Sequence, residues 1–159
     1  MRRLMKALGS LGILACGSDS TAPESISGNW TFSDATSNAR LSGSCHATGT
    51  ISITQTGSSF TGTVISGSNS CTVGTQSSTG SIVGSAIGDG RITAPAVSFT
   101  DNTLTEADLE TLVTKRGGAC KYTGTISGSP VNRMTGDETC TVALLDTYFG
   151  FSGTWQLSR

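Results

Sequence analysis

The chain has 159 residues, a formal net charge of −1 and only 13% charged side chains, which fits one domain. No basic patch with interleaved aromatics appears, which argues against a nucleic-acid partner, and no apolar run reaches the ~20 residues of a membrane-spanning helix. Gly, Ser and Thr are abundant, but Trp30, Phe32, Phe60, Phe99, Tyr122, Phe149, Phe151 and Trp155 fall within alternating runs, a periodicity that disordered segments lack.

Residues 1–15 read as a targeting signal rather than as structure. Arg2, Arg3 and Lys6 make a positive start, Ala7 to Ala15 is a short apolar stretch, and small residues then lead to Cys16. Ile13-Leu14-Ala15-Cys16 resembles the lipobox of bacterial lipoproteins. The resemblance implies cleavage before Cys16, a lipidated Cys16 as the mature first residue, and export to the cell envelope. It also implies membrane attachment, most simply to the outer membrane, facing the periplasm or the cell surface. Residues 16–25 are small and polar, a tether between the anchor and the domain at 26–159. Several acyl chains anchor firmly where one binds only marginally.

From Ile26 the pattern predicts eight strands: Ile26–Ser33, Cys45–Thr56, Ser59–Ser66, Thr79–Ile87, Arg91–Thr100, Cys120–Ser127, Met134–Ala143 and Tyr148–Ser158. Strict alternation in the second and sixth puts Cys45, Ala47, Gly49 and Ile51, and Cys120, Tyr122, Gly124 and Ile126, on buried faces. Asp34–Gly43 and Ser68–Ser78 read as loops, and Gly57-Ser58 and Gly88-Asp89-Gly90 as turns. Pro95 inside the fifth strand predicts an edge or a bulge. Between strands five and six, Thr105-Glu106-Ala107-Asp108 has the form of a capping box, and Leu109, Leu112 and Val113 form one stripe, so a short helix is expected there. Asp101, Glu106, Asp108 and Glu110 lack a calcium-loop pattern and read as a solvated face.

Glycine recurs two residues before an apolar residue, as in Gly28-Asn29-Trp30, Gly49-Thr50-Ile51, Gly124-Thr125-Ile126 and Gly153-Thr154-Trp155. Repeated glycine on a buried face points to tight coiling, against the alternative of a flat Gly/Ser/Thr-rich sheet. Eight sequential strands then make an all-β, up-and-down antiparallel barrel closed by its first and last strands, with Trp30 and Trp155 in one interior layer. Gly28-Asn29-Trp30 on the first strand is similar to the Gly-x-Trp of the lipocalin and avidin group of β-barrels; no ligand-binding residue carries over from that likeness.

Without Cys16, four cysteines remain, an even number in an exported chain. In the Gly57-Ser58 hairpin Thr56 faces Ser59, so facing numbers sum to 115; Cys45 and Cys71 sum to 116. The Pro130 turn is centred where Cys120 faces Cys140. Facing residues lie within disulfide range, which predicts Cys45–Cys71 and Cys120–Cys140. No CxxC pair or other metal motif appears, and no metal or cofactor is expected.

His46 is the one histidine and alternation turns it outward, away from any triad. With no nucleotide loop or nucleophile elbow either, no catalytic residue is assigned and the chain reads as a non-enzyme. Alternation from Cys140 and Val142 turns Glu138 inward, where a carboxylate must contact a ligand or be rotated to water by a bulge. The preceding Gly136-Asp137 favours the bulge. The candidate ligand-lining residues are Trp30, Phe60, Tyr122, Glu138, Phe151 and Trp155. The expected function is binding of a small, partly apolar ligand by a lipid-anchored barrel. The alternative is a structural or inhibitor-like envelope barrel with a filled interior and a protein partner.

Overall fold

The computed structural model describes residues 23–104, 118–144 and 147–159. Nine antiparallel strands follow one another: β1 (Gly28–Asn38), β2 (Gly43–Thr56), β3 (Ser59–Val73), β4 (Gln76–Ser81), β5 (Ala86–Thr93), β6 (Ala96–Leu104), β7 (Gly118–Gly128), β8 (Val131–Leu144) and β9 (Thr147–Ser158). Their order is β2-β1-β9-β8-β7-β6-β5-β3-β4, and β2 also pairs with β3. Eight strands therefore form a closed barrel, and β4 is an extra strand attached to β3. Closure by β1 and β9 agrees with the sequence reading, as does the all-β class.

Strand boundaries differ from expectation where the barrel demands longer strands. Asp34 to Asn38, read as loop, continues β1 and pairs with β2, and its residues up to Ser37 pair with β9 as well. Residues 68–73, also read as loop, continue β3 and pair with Cys45 and its neighbours, while Gln76–Ser81 folds back as β4. Gly88-Asp89-Gly90 is an irregularity within β5 rather than a turn; Asp89 takes φ 51 there and the ladder shifts between Gly88 and Arg91. The turn comes at Ala94-Pro95, so Pro95 joins two strands instead of interrupting one. Neutral Ser and Thr residues recur through the first three of these stretches. They suit an outward strand face as well as a loop, and only pairing decides between the two.

Asp101 to Leu104 continues β6, and the rest of the helix expected between strands five and six lies outside the described residues. Among the described residues the one helical element is a 3-10 turn, Ala39–Leu41, capped by the Asn38 side chain, which accepts from the Leu41 N–H at 2.9 Å. The predicted signal peptide, Cys16 and most of the tether also lie outside them. Glu24 and Ser25, assigned to the tether, dock onto the barrel. The Glu24 carboxylate accepts from the Val131 N–H at 2.9 Å, and the Ser25 carbonyl from Arg159 at 2.9 Å.

Both disulfides join directly facing residues, Cys45 with Cys71 and Cys120 with Cys140. The one-residue offset in the first hairpin has a physical source. Facing numbers sum to 115 from Thr56/Ser59 to Ile51/Val64 and to 116 from Thr50/Ser66 onward, because Ile65 is an unpaired bulge residue.

The core lies inside the barrel and includes the end where the chain enters. Ile26, Trp30, Val131, Met134 and Leu157 are buried there. The Trp30 indole N–H donates to the Ile26 carbonyl at 2.7 Å, and the Arg159 guanidinium sits 4.4 Å over the Trp30 ring. Both tryptophans are buried, but not in one layer. Trp155 faces Asp34, four residues beyond Trp30, because the strands of a closed barrel are staggered. The inner-face glycines follow from the coiling: a Cβ on Gly153 would collide with the Ala35 carbonyl, and one on Gly124 with the Thr135 carbonyl and the Trp155 ring.

Candidate functional site

The other end of the barrel, where the two disulfides lie, holds a cavity of about 130 Å³. The inner faces of several strands build it. Phe99 on β6, Tyr122 on β7 and Trp155 on β9 form an aromatic wall. Phe99 and Tyr122 stack with centroids 4.4 Å apart, and the Trp155 ring meets Phe99 edge-on at 5.0 Å and Tyr122 at 6.1 Å. Phe32, Ile51, Val64, Ile87 and Phe151 add apolar surface. One side is bounded by a seam in the sheet. β3 pairs with β5 over its first half and with β4 over its second, and β4 and β6 are not paired with each other. Ile82, Ser85, Ile87 and Asp101 line the cavity along that seam.

Acids from three strands share this apolar space: Asp34 on β1, Asp101 on β6 and Glu138 on β8. Glu138 is 3% exposed. The bulge expected at Gly136-Asp137 does not occur. Pairing of β7 with β8 runs without a shift from Ala119/Thr141 to Ser127/Arg133, so alternation carries Glu138 inward between Tyr122 and Gly153. Its Oε2 is buried and accepts no hydrogen bond from the described residues. Its Oε1 lies 2.9 Å from the Cys140 sulfur, which is disulfide-bonded and has no proton to donate. Burial pushes the Glu138 carboxyl up to about 8, helped by the nearby Asp34 charge and opposed by the Tyr122 phenol across the strand. Burial and the adjacent Glu138 carboxyl push the Tyr122 phenol up in turn.

The Asp34 carboxylate accepts from the Ala47 N–H at 2.8 Å. Burial nevertheless raises it to about 6, outweighing that hydrogen bond and the nearby His46. His46 is exposed, as alternation predicts, and its ring Nδ1 hydrogen-bonds the Asp34 carbonyl oxygen. Cys120, Glu138 and Cys140 place one potential ligand atom each within 4.8 Å of one another. With both sulfurs in a disulfide, that trio offers a metal ion a single carboxylate.

Of the residues proposed from sequence to line the interior, Tyr122, Glu138, Phe151 and Trp155 border the cavity. Trp30 and Phe60 are buried in the core outside its lining. Asp34 and Asp101 also border the cavity, one residue beyond the ends expected for the first and fifth strands. Carrying the alternation of Trp30 and Phe32, or of Val97 and Phe99, two residues further would have placed both carboxyls inside.

These features define a closed, eight-stranded antiparallel barrel with one extra strand and an internal, acid-bearing cavity, an architecture compatible with the calycin-like fold. Comparison of the chain with protein-family models, curated proteins and solved structures returns no match.

Proposed function

We propose that the protein is a lipid-anchored envelope lipoprotein whose barrel binds a small, partly apolar ligand inside its cavity. The observation that carries this reading is the cavity of about 130 Å³ walled by Phe32, Phe99, Tyr122, Phe151 and Trp155. An apolar cavity of about 150 Å³ in another protein stays dry and takes up benzene, so this volume suits a compact ring or short branched chain. Acidic groups at its wall would orient a polar substituent. The anchoring half of the proposal rests on the lipobox-like Ile13-Leu14-Ala15-Cys16 and the tether that follows.

The test is a thermal-shift series with benzene-sized probes on the purified mature domain, alongside native mass spectrometry of the protein as isolated. A ligand selective for the folded state raises the melting point with concentration. Ala47 lines the cavity, and Ala47→Phe should fill it and abolish the shift. If no probe shifts the wild type and nothing copurifies, ligand binding is overturned in favour of the protein-facing barrel.

A further inference from the structure

We infer that the cavity selects a small organic cation, a protonated amine on an aromatic or branched apolar body, with the Glu138 carboxylate receiving the ammonium group. This rests on the ligand-binding reading above and names the class of ligand.

A carboxyl withdrawn from water is destabilising unless hydrogen-bonded or paired. Glu138 is 3% exposed, yet its Oε2 accepts no hydrogen bond from the described residues and its Oε1 abuts a disulfide sulfur. The groups facing it do not supply the missing charge. Asp34 from β1 and Asp101 from β6 are themselves acids, and Tyr122 from β7 offers the carboxyl a phenol hydrogen bond but no charge. Gly153, its neighbour on β9, presents no side chain.

Among the described residues the basic side chains point elsewhere: Arg40 and Arg133 are exposed, the latter bonded to the Gln156 side chain. Lys121 is exposed on the outer face of β7. Arg91 is bonded to the Ser59 hydroxyl outside the barrel, and Arg159 covers Trp30 at the opposite end. His46 is exposed and is held at the Asp34 carbonyl. Among the described residues no basic side chain reaches the Glu138 carboxyl, which leaves room there for a cation brought in from outside.

Two further features suit an amine rather than a bare metal ion. An ammonium group carries several N–H donors, enough for Glu138 Oε2 and a second acceptor. Phe99, Tyr122 and Trp155 line the cavity as one aromatic cluster, and such rings attract a desolvated organic cation and pack its apolar body. A divalent ion stripped of its waters would need about six oxygen ligands, and most of this wall is carbon.

Calorimetric titration of the folded mature protein with benzylamine and with its neutral counterpart benzyl alcohol, at pH 7.5, tests the inference. The amine is expected to bind more tightly. Binding should also release a proton from Glu138, so that the measured heat changes with the ionisation heat of the buffer. Glu138→Gln should weaken the amine on the order of ten- to a hundred-fold, leave the alcohol unchanged and remove the buffer dependence. Equal affinities for the two probes, or a folded Glu138→Gln protein that binds the amine like wild type, would overturn the cation inference. Binding of the alcohol alone would overturn it too while leaving the ligand-binding reading intact; failure of both probes would remove that reading as well. The comparison of probes and buffers on wild type decides the matter even if Glu138→Gln does not fold.

Discussion

At the scale of single residues, Glu138 is where stability and binding compete. Its carboxyl is raised from 4.5 to about 8. Between those values the folded protein holds a proton that the unfolded chain has released. The neutral form therefore stabilises the fold fully below pH 4.5, and that contribution is lost as pH rises through about 8. Denaturant titrations at pH 5 and 8.5 should show the wild type losing stability on the alkaline side, on the order of several kcal/mol at most. Glu138→Gln should flatten that slope and stabilise the domain at pH 8.5. An unchanged slope in the variant would show that the carboxyl is solvated in solution. At the other end of the barrel, Trp30 is fully buried, hydrogen-bonded and covered by Arg159. Trp30→Ala should cost roughly 3–5 kcal/mol. A double-mutant cycle with Arg159→Ala should return a coupling of about 0.5–2 kcal/mol, and additive losses would mean the cation–ring contact is idle.

At the scale of elements, the β2–β3 hairpin shows how register, bulge and disulfide depend on each other. Ile65 is unpaired and half exposed, at 49%, so the bulge absorbs one residue on the outer face. Deleting Ile65 should leave Ile51 facing Val64, Thr50 facing Ser66, and Cys45 still facing Cys71. Peptide mapping of the deletion variant under non-reducing conditions should therefore recover the Cys45–Cys71 peptide. Recovery of scrambled pairs would show that the bulge, rather than the facing register, directs oxidation. In the wild type, each disulfide closes some twenty residues or more, with separations of 26 and 20. In the chain-entropy picture each is worth roughly 3 kcal/mol, so reduction should lower the denaturation midpoint markedly. The same hairpin produces the seam. β3 outruns β5, and its surplus length is covered by β4, which pairs with β3 alone. An extra strand on the outside of one hairpin is thus what leaves the cavity wall unladdered between β4 and β6.

At the scale of the whole molecule, the proposed anchor gives a direct test. Labelling the native host with a palmitate analogue should mark the protein, and Cys16→Ser should abolish the label; a labelled Cys16→Ser protein would refute lipidation.

Much of the barrel is determined by local sequence alone. Alternation of small or apolar residues with Ser and Thr sets the strands and their inner faces, and glycines at fixed offsets from apolar residues admit the tight coiling. Hairpin arithmetic pairs the four cysteines, because a short turn dictates which residues face each other. What the sequence by itself could not decide is whatever depends on the strands' mutual stagger. Ser- and Thr-rich stretches such as Thr36 to Asn38 and Ser68 to Ser70 are strand only because a partner satisfies their backbone groups. The stagger between β1 and β9 sets Trp155 opposite Asp34 rather than level with Trp30. The unbroken register of β8 keeps Glu138 inside, where a bulge would have turned it to water. Acids distant in sequence thereby meet across one cavity, a juxtaposition created by barrel closure, because no local pattern encodes which residues from opposite walls will share a space.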